Sequence, residues 1–249
     1  MYQFAHICDY FEDCWILSID NDVDTGKNNK FRYLQKKIKM LGLVSFFEII
    51  IFYPIQVLLY KIDQKKTESL INKLKRPTIH IDYNKVISIK GPVNGSNTVS
   101  AINKINPDII IQNGAGILKK NVFSLAKIFT INLHHGIAPL IRGMFSIYWA
   151  LWERKKTWVG STVHVIDKGI DTGKVLAYSN IKCDIGKDQY PDLFKKITKS
   201  GTTDMLTILK KIENNESVGI APIEGERNYR STFSGLKLLI LKLSYYLNK

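Results

Sequence analysis

Short runs of β-branched residues alternate with helical segments along most of this 249-residue chain. The runs "DIIIQNGAG" (108–116) and "IFTINLH" (128–134) are typical of buried strands. Between strands, "NGSNTVSAINKINPD" (94–108) offers polar helix caps and a proline that stops the helix. This alternation favours an α/β fold built on a doubly wound, mostly parallel sheet. Ligands bind such sheets where strands end, so polar residues that follow a strand are the first candidates for a functional site.

The remaining predicted elements follow the same periodicities. Apolar runs or alternation with polar residues indicate strands, and apolar residues spaced three or four apart indicate amphipathic helices. The expected strands are "CWILSID" (14–20), "TIHI" (78–81), "WVGSTVHVID" (158–167) and "KVLAYSNIKC" (174–183). The expected helices lie within the basic stretch 31–75, in "KKNVFSL" (119–125), in "FSIYWALWERK" (145–155) and in the long amphipathic segment 188–212.

The chain carries a formal net charge of +14. This excess fits either an anionic partner or lysines that only solvate the surface, and both interpretations stay open. The lysines are scattered and form no recognised nucleic-acid-binding module, so nucleic acid is not the expected partner. Three cysteines, Cys8, Cys14 and Cys183, cannot all pair and lack metal-ligand spacing, which predicts a reducing compartment and no metal. No charged-then-apolar leader is recognised, so a cytoplasmic location is expected.

Two apolar segments raise the question of a membrane. Residues Met40 to Tyr60 are apolar over a length that spans a bilayer, but Glu48 and Pro54 interrupt them. A membrane-spanning helix, a membrane-surface or dimer-forming helix, and helices buried in the fold are the alternatives, and the buried helices are favoured. The carboxyl-terminal "LKLLILKLSYYLNK" (236–249) could lie on the inner face of a membrane or close a homodimer.

Polar residues stand where the strand at 128–134 ends. Asn132 and His134 are two apart and therefore project to one face of the strand, while Leu133 points to the other. An amide that donates a hydrogen bond beside an imidazole suits the stabilisation of an oxyanion at an acyl carbon. Asp171 lies in the turn "DKGIDTG" and could accept a proton from an attacking amine.

Neighbouring polar residues have structural alternatives. His135 opens the loop and could merely bind backbone, and His164 lies inside a strand, which favours a structural role. Arg142 fits either an anion ligand or an ordinary loop salt bridge. Asp167 could be only a turn former.

The ordered combination of these residues resembles the folate-dependent formyltransferase family, over residues 108 to 211. The family carries an Asn-x-His pair, a Pro-x-x-Arg-Gly loop and an Asp-x-Gly turn. Here these are Asn132 and His134, then "PLIRG" (139–143), then Asp171, which follows His134 by 37 residues. The resemblance implies a Rossmann-like catalytic domain of the formyltransferase type.

The resemblance also implies the ligands. The co-substrate would be 10-formyltetrahydrofolate, with no metal, and Asn132, His134 and Asp171 would be the catalytic residues. Residues implied to bind the amine substrate are Pro139, Arg142 and Gly143. Residues implied to hold the folate pterin are Ala115, Gly116, Leu118, Val165, Ile166, Asp167, Gly169 and Ile170.

The chain departs from the family pattern in several places. Family members open with a glycine-bearing strand, whereas the first residues here read as the helix that follows it, so the first strand is expected to be missing. His135 replaces the usual proline or glycine after the histidine. We expect a catalytic domain over 1–215, with 31–75 as a helical insertion, and a short extension over 216–249.

The acceptor amine has several candidates. Formylation of methionyl-tRNA is disfavoured because 38 residues after Lys211 are too few for the barrel domain that usually accompanies it. Glycinamide ribonucleotide enzymes resemble residues 134–149 less. "LHHGIAPLIRGMFSIYWAL" (133–151) is closest in style to enzymes that formylate a nucleotide-linked amino-deoxysugar for surface polysaccharides such as the O-antigen of lipopolysaccharide. A truncated, non-catalytic interaction protein remains the alternative from another class.

Overall fold

The computed structural model describes residues 2–11, 13–20, 51–74 and 82–247. Helices and strands alternate along these ranges, as the sequence pattern predicts. The helices are α1 (Tyr2–Tyr10), α2 (Tyr53–Asn72), α3 (Ser96–Ile105), α4 (Lys120–Phe123), α5 (Ser146–Trp152), α6 (Tyr190–Glu213) and α7 (Gly235–Leu247). The strands are β1 (Ile16–Asp20), β2 (Val86–Lys90), β3 (Ile109–Gln112), β4 (Phe129–His134), β5 (Arg142–Gly143), β6 (Gly160–Val165), β7 (Val175–Asn180) and β8 (Tyr229–Arg230).

The described strands pair into three groups. β1 is parallel to β2, and β5 is parallel to β8. The third group has the order β3-β4-β6-β7, in which β3 and β4 are parallel while β6 is antiparallel to both of its neighbours. The predicted α/β class with parallel pairs is confirmed. β6 and β7 are antiparallel because the turn between them is too short for a crossover helix.

Helix α6 covers one face of this sheet. Gln189 and Asp192 form a capping box at its start, and Pro191 occupies the first turn, where a missing N–H costs nothing. Its apolar stripe, which includes Met205, packs with Leu133 of β4 and Val163 of β6 in one buried cluster. The face of β4 that carries Leu133 is therefore buried beneath α6, and Asn132 and His134 lie on the opposite face.

Most predicted elements are confirmed, with particular exceptions. The strand β2 was missed, because Ser88 and Lys90 interrupt its apolar pattern. The expected strand "TIHI" (78–81) lies outside the described residues, as does the whole 31–50 part of the insertion. Within the insertion, α2 confirms the helical prediction. The expected division near residue 215 remains a prediction.

The first described element is the helix α1, and the expectation of a missing first strand stays a prediction. Among the described strands, β1 pairs only with β2 and β3 pairs only with β4. Each of these two strands therefore has one edge without a strand partner in the described part of the chain.

Within the ranges that the structure describes, no helix combines the length and apolar character needed to cross a bilayer. Helix α2 instead packs into the fold through Asp63, whose residue exposure is 1%. The Tyr148 hydroxyl of α5 donates to Asp63 Oδ2 at 2.7 Å, and the Lys242 ammonium of α7 donates to Oδ1 at 2.6 Å. This buried carboxylate joins α2, α5 and α7.

We expect Asp63→Ala to lower the free energy of unfolding by about 3–5 kcal/mol, because it leaves a buried hydroxyl and a nearly buried ammonium without an acceptor. Urea unfolding followed by circular dichroism measures the loss. The matched control is Glu68→Ala, an exposed carboxylate on the same helix, which should change stability by less than about 0.5 kcal/mol. Equal stability of the two variants would show that Asp63 does not join the helices.

Candidate active site

Asn132 and His134 lie at the carboxyl end of β4, on one face of the strand as predicted. His134 is buried, and Leu133 points to the opposite side, into the cluster beneath α6. The antiparallel neighbour β6 places His164 directly opposite Asn132 and Thr162 opposite His134. Two histidines and an amide therefore share one small area at the end of the sheet.

Asp171 reaches this area from the turn between β6 and β7. Its backbone has a φ of 51°, and its Oδ2 accepts the Gly143 N–H at 2.8 Å. The turn is closed by Asp167, whose Oδ1 accepts hydrogen bonds from the Gly169 N–H and the Thr172 hydroxyl. Asp167 therefore stabilises the turn, and the turn places Asp171 beside the end of β4.

The Asp171 carboxylate contacts both imidazoles. His134 Nδ1 lies 3.4 Å from Oδ2, and His164 Nε2 lies 3.3 Å from Oδ1. Only 12% of the Asp171 side chain is exposed. Burial raises the pKa of Asp171, but His134, His164 and the Gly143 N–H together outweigh it and lower the pKa to about 2. Asp171 is therefore an anion at neutral pH.

Hydrogen-bond partners fix which ring nitrogens carry protons. His134 Nε2 lies 3.0 Å from the Ile141 carbonyl oxygen, which can only accept, so this nitrogen is the donor. His164 Nδ1 lies 2.9 Å from the Val165 carbonyl oxygen and is the donor for the same reason. His164 Nε2 lies 3.3 Å from the Asn132 amide nitrogen and 3.3 Å from Asp171 Oδ1, so it accepts from Asn132 when it carries no proton and donates to Asp171 when it carries one. At most one amide N–H of Asn132 is engaged by His164, and the other has no partner among the described residues.

Burial lowers the pKa of two histidines at this end of β4, His134 and His135. It lowers the pKa of His134 despite the opposing charge of Asp171, so the neutral ring is favoured. His135 stacks on Phe194 and contacts the Thr198 hydroxyl at 3.0 Å. Burial, followed by the nearby His134, lowers its pKa to about 4. His135 thus packs under α6, apart from the Asp171 carboxylate.

The sequence analysis favoured a structural role for His164, and that role stays a prediction. Its ring joins Asn132 to Asp171, with 3.3 Å contacts to each. A sequence signal existed, because Thr162 and His164 are two apart and so share one face of β6. Only the antiparallel register with β4, however, shows that this face meets Asn132.

Two glycines make room for the site. Gly136 packs so closely that a Cβ there would lie 2.7 Å from His134 Nε2. Gly143 has a φ of 91°, and a Cβ would collide with the Arg230 carbonyl oxygen. The glycine of the "PLIRG" loop therefore allows β8 to approach the strand that supports Asp171.

The other predicted binding residues lie in the loops around this strand end. Pro139 follows a cis peptide bond, and Arg142 begins β5. Leu118 is buried in a cluster with Val122, and both Ala115 and Ile166 pack against that cluster, which brings the two predicted pterin loops onto one support. Ile166 is further fixed by its N–H, which donates to the Thr130 carbonyl. Gly116, Gly169 and Ile170 are exposed, and Val165 is half-buried.

In the described part of the chain, no group of three or more histidine, cysteine or acidic side chains is arranged to hold a metal ion. The chemistry available from these residues is hydrogen-bond donation by Asn132 and proton exchange between His134 and Asp171.

Asn132, His134 and Asp171 thus lie together at the carboxyl end of β4, beside the "PLIRG" loop. The chain belongs to the formyl transferase family, whose model matches residues 62–209. This match includes β4, the "PLIRG" loop and the Asp171 turn.

Curated relatives agree with this membership. The methionyl-tRNA formyltransferase of Caldicellulosiruptor saccharolyticus is 32% identical over 114 residues, covering 45% of this chain and 36% of the relative. That of Kosmotoga olearia is 33% identical over 125 residues, covering 50% and 40%. The matched part of the chain thus spans about two fifths of the length of these relatives.

A solved structure shows the same fold over more of the chain. The sugar N-formyltransferase from Shewanella sp FDAARGOS_354 has a TM-score of 0.52 and 17% identity, covering 92% of this chain and 86% of that one. This likeness concerns the fold alone.

We expect the free energy of unfolding to fall as pH is lowered from about 6.5 towards 4. The unfolded chain binds protons at its ordinary histidine pKa, whereas folded His135, with a pKa of about 4, does not. Stability is therefore present above about pH 6.5 and is lost as pH falls towards 4. Urea unfolding at several pH values should show a shallower fall for His135→Gln than for the unchanged chain. Parallel curves would mean that His135 titrates normally in the folded state.

Proposed function

We propose that this chain transfers a formyl group from 10-formyltetrahydrofolate to a primary amine. The observation that carries the proposal is the contact network of Asn132, His134, His164 and Asp171 at the end of β4, in a member of the formyl transferase family. Such a network combines a donor for an oxyanion with an ionised carboxylate for proton removal.

The acceptor amine attacks the formyl carbon, and the electron pair of the C=O bond moves to oxygen. The Asn132 amide donates its second N–H to this oxyanion. Asp171 takes a proton from the attacking nitrogen, directly or through a water, and the proton reaches the folate nitrogen as the old C–N bond breaks. The products are a formamide and tetrahydrofolate.

His134 has two tasks in this scheme. Its Nδ1 faces Asp171 and can receive the amine proton from the carboxylate. Its Nε2 donates to the Ile141 carbonyl, so donation to the oxyanion requires this hydrogen bond to exchange. His164 positions Asn132 by accepting one of its amide hydrogens.

We propose an anionic acceptor, most simply a nucleotide-linked amino-deoxysugar of surface polysaccharide synthesis. The Nε atoms of Arg142 and Arg230 are buried and have no hydrogen-bond partner within the described residues. No described carboxylate lies within 4.0 Å of either guanidinium, although Arg230 stacks on Trp149 at 4.9 Å. A guanidinium whose Nε is buried without a partner calls for a compensating anion, and a diphosphate would supply it.

Methionyl-tRNA is the second candidate, because the matching curated relatives carry that name. A phosphate backbone would also satisfy the two arginines. Purified chain incubated with 10-formyltetrahydrofolate and either a panel of nucleotide-linked amino sugars or methionyl-tRNA separates the candidates. A mass gain of one formyl group on a sugar supports the first proposal, and formylation of the tRNA alone contradicts it.

Asn132→Ala is expected to lower kcat by about 10²–10³, because it removes the available oxyanion donor. Turnover is measured under saturating substrates on protein whose circular dichroism matches that of the unchanged chain. Asn132→Asp, which is nearly isosteric but repels an oxyanion, should be at least as slow. Thr157→Ala, at an exposed residue outside the site, serves as the control. Near-full turnover of Asn132→Ala would contradict the role of Asn132 as oxyanion donor.

Arg142→Gln and Arg230→Gln are each expected to raise KM for the anionic acceptor by about 10–100-fold, since a charged hydrogen bond contributes roughly 1.5–3 kcal/mol. The KM for the folate should change far less, which separates acceptor binding from folate binding. Arg227→Gln, an exposed arginine in the same segment, is the matched control. A selective rise in the folate KM would instead assign the arginines to the folate carboxylates.

A further inference from the structure

Helix α7 is apolar on two opposite sides. Its inner side is buried in the core through Leu238, Leu241 and Tyr245. Its outer side carries large apolar residues spaced four, three and four apart, which places them in one stripe along the helix. These residues, with their exposed fractions, are Leu236 (41%), Ile240 (45%), Leu243 (50%) and Leu247 (85%). A surface helix ordinarily carries polar residues on the side away from the core, so this stripe indicates an interaction surface.

Helix α2 lies beside α7 and runs in the same direction. The Gln56 amide donates to the Phe233 carbonyl just before α7, and Asp63, farther along α2, accepts from Lys242, farther along α7. Tyr60 of α2 packs against the same apolar cluster that the inner side of α7 helps to form. Because the two helices are neighbours with the core on one side, their outer sides share the opposite surface of the protein.

Helix α2 adds apolar residues to this surface. Leu58 and Ile62 are exposed and four residues apart, which puts them in one outer stripe, whereas the buried residues of α2 are Asp63 and Thr67. Tyr246, near the end of α7, is also exposed. We name the surface formed by these side chains the α2–α7 face, and its residues are Leu58, Ile62, Leu236, Ile240, Leu243, Tyr246 and Leu247.

Lysines border the α2–α7 face. Lys65 and Lys66 are exposed and follow Ile62 by three and four residues, so they continue its stripe along the helix. Between residues 53 and 74, the exposed charged side chains are four lysines and a single glutamate, Glu68. The sequence of α7 contains no acidic residue. The face is therefore apolar with a basic border.

The charge of the chain favours one kind of occupant. The stripe of α7 has heptad spacing and could pair with a second copy, but two chains that each carry a net charge of +14 repel one another. An anionic lipid bilayer attracts lysines and buries apolar side chains at the level of its headgroups. Tyrosines such as Tyr246 also favour this level. A bilayer surface therefore matches both the apolar residues of the face and its border.

We propose that the α2–α7 face binds the surface of an anionic lipid bilayer, with α7 lying parallel to that surface. The stripe from Leu236 to Leu247 is about 16 Å long. Its side chains enter the boundary between headgroups and acyl chains, and Lys65 and Lys66 contact the lipid phosphates. Helix α7 has 13 residues, too few to span a bilayer, so it lies on the surface.

Vesicle binding tests the proposal on the full chain. The protein is mixed with vesicles of phosphatidylcholine alone, or of phosphatidylcholine and phosphatidylglycerol in equal parts, and co-sedimentation is measured at about 0.15 M salt. We expect binding to the anionic vesicles to be at least about tenfold tighter than binding to the neutral ones. Equal binding to both kinds of vesicle, or no binding to either, would overturn the proposal.

Apolar contacts are tested with Leu243→Gln, which should weaken binding to the anionic vesicles by about tenfold. The matched control is Ile220→Gln, since Ile220 is 48% exposed and lies outside the face. Leu58→Gln makes the same test from α2, so the result does not depend on a single variant. Each protein is compared only if its circular dichroism matches that of the unchanged chain. Unchanged binding by both face variants would contradict the proposal.

The basic border is tested by replacing Lys65 and Lys66 together with glutamine, which should weaken binding to the anionic vesicles by about tenfold or more. The matched control replaces Lys210 and Lys211 of α6, which are exposed neighbours on another part of the protein, the first lying over the Tyr10 ring of α1. Equal losses in the two double variants would show attraction by overall charge and count against this face.

Sedimentation equilibrium without lipid tests the competing occupant. We expect no change in mass between the unchanged chain and Leu243→Gln. A dimer that becomes a monomer in Leu243→Gln would assign the α2–α7 face to a second copy and overturn the proposal. These measurements involve neither folate nor an acceptor amine, so their result is independent of the proposed formyl transfer.

Discussion

A carboxylate buried beside two imidazoles needs partners from several elements, and Asp171 obtains them from three. His134 comes from β4, His164 from β6, and the Gly143 N–H from β5. These contacts lower the pKa of Asp171 to about 2 against the effect of burial. The turn that carries Asp171 is thereby tied to the sheet, and the anion that accepts protons in the proposed reaction is fixed before any substrate binds.

The segments outside the sheet support the same area. β8 pairs with β5, which holds the residue that donates to Asp171, and Trp149 of α5 donates to the Thr232 carbonyl just after β8. Asp63 then joins α5 to α2 and α7 through buried hydrogen bonds. Because polar groups without partners are costly in the interior, this network orders the helices around the strand end.

Charge sets a requirement near β5 and β8. The Nε atoms of Arg142 and Arg230 are buried there without a hydrogen-bond partner among the described residues, which suits the proposed anionic acceptor.

The sequence by itself determined the α/β class, most strands and helices, and the candidates Asn132, His134 and Asp171, because alternation and motif spacing are local properties. It did not reveal β2, whose polar residues interrupt the pattern, nor the contact between His164 and Asn132. That contact depends on the antiparallel register of β4 and β6, and register is set by pairing between segments some 30 residues apart. Only the tertiary structure shows that Arg230 pairs with Gly143 across β5 and β8, because these strands are far apart in the chain. The packing of this pair also leaves the Nε atoms of Arg142 and Arg230 buried without a hydrogen-bond partner among the described residues.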